Sequence, residues 1–237
     1  MGTPTPYYNA KKKRVPSVST ISGKFKDHGA LMWWANQVGQ GEAACEDQEP
    51  CQKCGRKQGK NHRDAAQKSA DVGTYAHALI EERVKGTPID MSEFDGFTDE
   101  QFSKAGSCLD AFDNWFDGSK VEVIETEMPL VSEKYQFGGR FDAIWRVNGR
   151  LSLGDWKTSN GLYEDYVAQV CGGYLLLIEE HDLWGPVERV DILRFSKETG
   201  SFNHHSWPRE SLQPAIDYFL TARRLYDEAK GLKKLLK

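Results

Sequence analysis

Residues 138–159 read GGRFDAIWRVNGRLSLGDWKTS. Asn148-Gly149 inside this stretch is a strong hairpin signal, because a two-residue type I′ turn needs positive φ at both positions. Such a loop makes Val147 and Arg150 the closing pair. Counting outward then places Asp142 directly opposite Asp155. That pair falls at a non-hydrogen-bonded position of the ladder, where side chains come closest. Their Cβ atoms would lie roughly 4.5–5.5 Å apart, and like charges so placed repel. Either a cation compensates them or one stays protonated. Lys157, two residues beyond Asp155, points to the same face. Two carboxylates beside a lysine suit a hard divalent cation held by oxygen ligands. The plainer alternative is a surface strand pair neutralised by neighbouring lysine and arginine.

Working outward, the pattern predicts helices over 62–85 and 99–117. Asn61 is a plausible N-cap and Gly86 a stop for the first, and Thr98 and Gln101 have capping-box spacing for the second. Strands are predicted at 121–130, 137–147 and 151–158. A helix at 162–180 follows, then strands at 188–195 and 202–207 and a final helix at 209–235. Upstream, one or two helices cover 18–38, with Leu31, Trp33, Trp34 and Val38 as expected core. Trp33 and Trp34 have base stacking as the alternative role. Residues 1–16, with KKKR at 11–14, read as a flexible basic tail that could touch phosphate, serve as a localisation signal or simply keep the chain soluble. This order gives an α/β or α+β domain over 17–237.

The chain has 237 residues with 39% hydrophobic and 28% charged side chains, ordinary for one globular domain. A mean hydropathy of -0.63 and the absence of a long apolar run exclude a membrane-spanning helix. The start MGTPTPYYNAKKKR lacks the apolar region of a secretory signal, so a cytoplasmic location is expected. Net charge is -4, but it is unevenly spread. Residues 1–30 and 51–69 each carry six basic side chains and one acidic, and 221–237 carry six and two. Basic patches around an acidic middle fit a protein that holds a polyanion and uses carboxylates for a cation.

The order of four short motifs resembles the PD-(D/E)XK nuclease superfamily, specifically its RecB-like exonuclease branch. The chain reads GTYAHALIE from Gly73 to Glu81, GGRFDAI from Gly138 to Ile144, GDWKTS from Gly154 to Ser159 and QVCGGY from Gln169 to Tyr174. The resemblance implies a restriction-endonuclease-like core, a mixed central sheet flanked by helices, interrupted here by a cysteine-bearing insertion at 39–61. It implies His77, Asp142 and Asp155 as ligands of a catalytic Mg²⁺ or Mn²⁺, with the Trp156 backbone carbonyl beside them and Glu81 supporting them. Gly73, one turn before His77, thins the helix for close approach by a strand or by DNA. Gln169 would orient the water, Lys157 or the DNA. The spacing Q-x-x-x-x-Y departs from the family's Q-x-x-x-Y. In an α-helix this puts Tyr174 about 140° from Gln169. Tyr174 therefore reads as core, Gly173 takes the tyrosine's position, and Tyr166 stands as its substitute toward DNA.

Cys45, Cys51 and Cys54, followed by His62, have the ligand types of a Cys3His zinc site. A zinc knob would present Lys53, Arg56 and Lys57 to phosphate. A loop of free thiols is the alternative. An iron–sulfur cluster, as in RecB-like nucleases of CRISPR adaptation, is disfavoured because the downstream cysteine trio of those proteins is absent. Cys108 and Cys171 read as buried apolar residues. His204 and His205 alternate faces in a strand and so do not readily share one ion.

Together these readings imply a metal-dependent DNA nuclease, exonucleolytic by resemblance, acting in DNA processing or recombination. Lys157 would position or help deprotonate the attacking water, with its pKa lowered by the nearby dication. A non-catalytic DNA-binding module with a zinc knob is the competing reading. No helicase motif or P-loop is present, so ATP-driven translocation would need a partner protein.

Overall fold

The structure, a computed structural model, describes residues 6–24, 62–197 and 199–235. Two short strands, β1 (Tyr7–Tyr8) and β2 (Arg14–Val15), open the chain and pair with each other. Helix α1 spans Val18–Lys24. Helix α2 spans His62–Lys85 and stops at Gly86, whose φ of 69° needs no Cβ penalty. Helix α3 (Asp99–Gly118) starts on a complete capping box between Thr98 and Gln101. Then come β3 (Val121–Thr126), β4 (Pro129–Ser132), β5 (Phe137–Arg140), β6 (Ala143–Val147) and β7 (Arg150–Thr158). A long helix follows in three joined parts: α4 (Glu164–Val167), a π-helical stretch (Ala168–Tyr174) and α5 (Leu175–His181). Strands β8 (Arg189–Phe195) and β9 (Phe202–Pro208) precede α6 (Gln213–Leu235).

The central sheet has the order β3-β6-β7-β8-β9. β7 and β8 run parallel, and every other pair is antiparallel. A parallel pair needs a crossover, and the helix at 164–181 is that crossover. The β6–β7 turn closes at Val147 and Arg150 with Asn148 at φ 52° and Gly149 at φ 81°. That is the positive-φ pair the Asn-Gly dipeptide predicted. Side chains alternate between two cores. Ile144, Leu151, Leu153, Val190 and Ile192 face α1, α6 and the crossover helix. Trp145, Val147, Trp156, Leu193 and Phe195 face α2 and α3. The architecture is thus α/β, a mixed sheet with helices on both faces.

Several expectations need correction. The strand expected at 121–130 ends at Thr126, because Glu127 turns to φ 53°, and residues 129–132 join a separate two-stranded sheet with β5. The strand expected at 137–147 breaks at Phe141-Asp142, where the pairing partner changes: β5 pairs with β4 and β6 with β3. The tail expected over 1–16 is, in its described part, a folded hairpin with Val15 buried at its base. The final helix begins at Gln213, after a short 3-10 turn at Arg209–Ser211. The expected core residues Leu31, Trp33, Trp34 and Val38 lie outside the described residues.

The far side of the sheet is stapled by a buried carboxylate. Asp191 on β8 lies 2.8 Å from His204 Nε2 on β9 and 3.1 Å from Arg189 Nε. Arg189 Nε also donates to Ser152 Oγ on β7 at 3.0 Å, and Trp115 Nε1 of α3 donates to His204 Nδ1 at 3.2 Å. His204 is therefore a structural residue, and His205 stacks on Trp207 instead. Burial pushes the Asp191 carboxyl up, but hydrogen bonds from His204 and Ser206 and the Arg189 charge outweigh it and hold it below the usual aspartate value. A depressed carboxylate contributes stability that is present above its unfolded pKa and lost as pH falls through the folded one. Asp191→Asn is therefore expected to lower stability at pH 7 by roughly 1.5–3 kcal/mol, the range for hydrogen bonds to charged groups. The gap from wild type should shrink as pH falls below about 4, the ordinary aspartate value. Urea unfolding across that range checks it, and a gap that does not change with pH would contradict the assignment.

Candidate active site

The site begins where the sheet comes apart. Asp142 sits one residue before the β6 ladder, whose first pair with β7 is Ala143–Gly154. Its carbonyl accepts Glu127 N–H at 3.2 Å, and its Oδ2 accepts Trp156 N–H at 3.0 Å. The direct Asp142–Asp155 ladder pair expected from the turn is thus replaced by a side-chain cap on the edge of β7. The hairpin count carries the register to Gly154, and Asp142 then leaves it. The two carboxylates still repel, since each is buried and Asp142 is among the groups that raise Asp155.

Asp155 is fully buried on β7, and its Oδ2 lies 2.6 Å from Lys157 Nζ. The two-residue period of the strand puts both on one face, as predicted, and that face looks toward the crossover helix. Burial, then Asp142, push the Asp155 carboxyl up to about 7, against the opposing Lys157 charge. Burial also raises Asp142. For Lys157 burial alone would lower the ammonium, but Asp155 and Asp142 outweigh it, so the pKa is raised. Lys157 stands as a held cation. It also lies 5.5 Å from the Tyr166 ring centroid, close enough for a cation–π contact.

Helix α2 brings His77 to this cluster because Gly73 lets it lie against β7. A Cβ at Gly73 would come 2.7 Å from Thr158 Oγ1. The close approach made possible by Gly73 is thus to a strand. The His77 ring is 6.0 Å from that of Trp156. Burial, then the Lys157 charge, lower it to about 4, so the imidazole is neutral at pH 7. Glu81, one turn on, pairs with Lys85 and turns its negative charge toward His77, Asp142 and Glu127.

The crossover helix corrects the reading of Tyr174. Residues 168–174 wind as a π-helix, in which i and i+5 stack. Gln169 Nε2 accordingly donates to the Tyr174 hydroxyl at 2.8 Å. The five-residue spacing that looked wrong for an α-helix is right for this one. Tyr174 is buried with its phenol held well above its ordinary value by burial and by the charges of Asp155 and Asp142. It is therefore both packed in the core and turned to the site. Gly173, expected at the tyrosine's position, packs so tightly on Val18 and Phe219 that a Cβ would overlap them. Gly172 similarly lets the helix approach the Ala215 carbonyl of α6.

Two site neighbours, Glu127 and Tyr7, were missed by the sequence reading. Glu127, half-buried beside Asp142, pairs with Arg140 at 2.6 Å and is pushed up to about 7 by burial and by Asp142. Tyr7 lies on Gly138, with the Arg140 and Glu127 charges near its hydroxyl. Glu127 would have been visible only by pairing β3 with β6. That register shifts at a bulge between Val123 and Glu125, which carries no sequence signal.

Asp155 Oδ1 is buried with no hydrogen-bond partner among the described residues. An orphaned carboxylate oxygen, a second aspartate and a neutral imidazole have the chemistry of a hard divalent-cation site. The side chains are not drawn into a finished cage of three or more ligands among the described residues. Trp156 gives its N–H to Asp142 and its indole to the core. Cys45, Cys51, Cys54, Lys53, Arg56 and Lys57 lie outside the described residues, as does the side chain of His62. Cys108 and Cys171 are fully buried, in different cores, with thiols pushed up by burial to about 11 and about 12.

No model of a known protein family matches the sequence, and no curated protein matches it. Among solved structures, LHK-Exo in complex with dAMP is 17% identical, covering 72% of this chain and 91% of that one, with a TM-score of 0.36. The alkaline exonuclease LHK-Exo from Laribacter hongkongensis, solved separately, is 15% identical over 72% and 92%, with a TM-score of 0.31. SSO0001 is 17% identical over 65% and 74%, with a TM-score of 0.29. Likenesses this distant leave the reading of the site to its own geometry.

The buried ion pair gives a direct check on that geometry. Lys157→Met leaves Asp155 buried beside Asp142 without its cation. In EDTA at pH 8 it is expected to destabilise by up to about 3–5 kcal/mol, the range for breaking a buried pair, and by less to the extent that Asp155, pushed further up without Lys157, takes up a proton. Adding Asp155→Asn to the same chain should recover most of the loss. A double variant no more stable than the single one in urea unfolding would show that the pair is not coupled.

Proposed function

We propose that this chain is a divalent-metal-dependent deoxyribonuclease that hydrolyses phosphodiester bonds. The observation that carries the reading is the buried trio Asp142, Asp155 and Lys157 at the point where β6 leaves β7. Two like-charged carboxylates and an ammonium taken out of water destabilise a fold unless the site has a use for them. Asp142, Asp155 and His77, with the Trp156 carbonyl beside them, would hold Mg²⁺ or Mn²⁺. When bound, the ion polarises a phosphate oxygen and lowers the pKa of a water.

The chain's own groups supply the rest. Lys157 presents a fixed ammonium to the negative charge that develops on the phosphate in the transition state. A dication beside it would lower the ammonium, and Lys157 would then position or help deprotonate the attacking water. Gln169 donates to Tyr174, and the pair fixes both side chains on the site face of the crossover helix. Tyr166 shields Lys157 from one side. The resemblance favours exonucleolytic action. For the cysteine segment we keep the Cys3His zinc proposal. Stoichiometric zinc in a colourless protein would support it, and a brown protein would replace it with an iron–sulfur cluster.

The test uses end-labelled linear DNA, single- and double-stranded, with Mg²⁺, Mn²⁺ or EDTA. Wild type is expected to cleave only with metal, and label release from the ends gives exonucleolytic action and its polarity. Asp155→Asn should abolish cleavage and keep or improve DNA binding, as one negative charge is lost. Lys157→Ala should slow it by about 10²–10³, the range for removing one transition-state donor. Wild-type rates in either variant would overturn the assignment. Binding without cleavage on every substrate would favour the non-catalytic DNA-binding reading.

A further inference from the structure

We propose that the N-terminal hairpin at residues 7–15 is an arm that holds the phosphate backbone of DNA a few nucleotides away from the cleavage site. The choice of DNA as the polyanion rests on the nuclease reading above; the arm itself rests on separate residues.

The hairpin is built rather than draped. Its two-residue strands pair Tyr7 with Val15 and Tyr8 with Arg14. The tip is closed by Asn9, whose Oδ1 accepts Lys13 N–H at 2.8 Å, while Asn9 O accepts Lys12 N–H at 2.8 Å. Lys12 sits at φ 57°, in the left-handed region a tight tip requires. The tip is also tied to the rest of the molecule. Asn9 Nδ2 donates to Gln136 Oε1 at 2.6 Å, and Ala10 N–H donates to Glu133 Oε1 at 2.6 Å. At its base, Pro16 O accepts Gly138 N–H at 3.0 Å. One face, Tyr7 and Val15, is turned inward, and the other carries Tyr8, 54% exposed, with Arg14.

This ordered tip presents four consecutive cations, Lys11, Lys12, Lys13 and Arg14, all exposed. None is paired with a carboxylate among the described residues. Like charges held side by side repel, and the arrangement is relieved by a partner that is itself a row of negative charges. The position adds direction. The tip rests on residues 133–136, and from there β5 runs to Arg140 and the break at Asp142. Six residues at about 3.3 Å each make that path at most about 20 Å. One strand of duplex DNA carries a phosphate every 3.4 Å or so. The tip thus reaches phosphates up to about six nucleotides from the bond at Asp155, with Arg140, 61% exposed, between them.

The experiment compares wild type with the triple variant Lys11→Gln/Lys13→Gln/Arg14→Gln, leaving Lys12 so that the tip keeps its turn. Binding to a duplex several turns long is followed by fluorescence anisotropy in EDTA over a series of salt concentrations. Each phosphate that the variant no longer neutralises should reduce the slope of log K against log salt by about 0.9, so a reduction of about 2–3 is expected, with at least about tenfold weaker binding at low salt. A second variant, Lys11→Arg/Lys13→Arg, should keep both slope and affinity, and it guards against a folding defect. Unchanged affinity and slope in the triple variant would overturn the arm, as would wild type that binds no DNA. The two readings separate cleanly. Arm-dependent binding without any cleavage removes the nuclease and keeps the arm, whereas metal-dependent cleavage with arm-independent binding does the reverse.

Discussion

The interaction on which the site depends is the hydrogen bond from Trp156 N–H to Asp142 Oδ2. It marks the residue at which β6 stops being a neighbour of β7 and its side chain takes over the pairing. A buried backbone N–H left without a partner is expensive, so the strand cannot separate there unless something caps the exposed edge. The aspartate does so, and in doing so it is drawn into the protein next to Asp155. The same departure frees the preceding residues to form β5 with β4 instead. It also turns Glu127 inward to meet Arg140. The sheet fork and the acidic cluster are one structural event.

Holding these acids together is an electrostatic burden that the surroundings share out. Lys157 neutralises Asp155 directly, Arg140 neutralises Glu127, and Lys85 draws Glu81 to one side. Asp142 is compensated by the Lys157 charge and then by the Trp156 N–H, but burial outweighs them. The result is a buried acidic cluster in which two carboxyls are held above their usual range, with a neutral imidazole at its edge. By contrast, Asp191 on the opposite side of the sheet is fully compensated by Arg189, His204 and Ser206 and has no unmet demand. Two buried aspartates on adjacent strands are therefore treated differently: Asp191 is fully hydrogen-bonded, whereas Asp155 keeps an oxygen without a partner among the described residues.

Packing decides what faces the site from the crossover helix. Gly172 and Gly173 allow that helix to lie directly on α6 and α1. The π turn over the same residues adds one residue per turn, so the apolar side chains after it still reach the core. The cost of the wide turn is offset by uninterrupted burial of Val170, Cys171, Leu175 and Ile178. Its by-product is that Gln169 and Tyr174 share a face.

Much of this was legible in the chain itself, because it depends on local rules. The Asn148-Gly149 turn demands positive φ, so the β6–β7 register followed from it. The two-residue period of a strand put Asp155 and Lys157 on one side. The Thr98–Gln101 box and the stop at Gly86 bounded two helices. The order of the motifs placed His77 on a helix upstream of both aspartates. What the sequence could not determine are the features set by contacts between distant segments. The strand fork at Asp142 depends on which of two partners each half of a continuous β-like stretch finds, β3 or β4. The place of Glu127 depends on a bulge in that pairing. The ordering of residues 7–15 depends on Gln136 and Glu133, more than a hundred residues away. The π turn depends on how closely α6 can approach. Local propensity determined the elements and the faces of their side chains; only the tertiary structure decided where a strand stops pairing and a side chain takes its place, because that is settled by which neighbour satisfies each buried polar group.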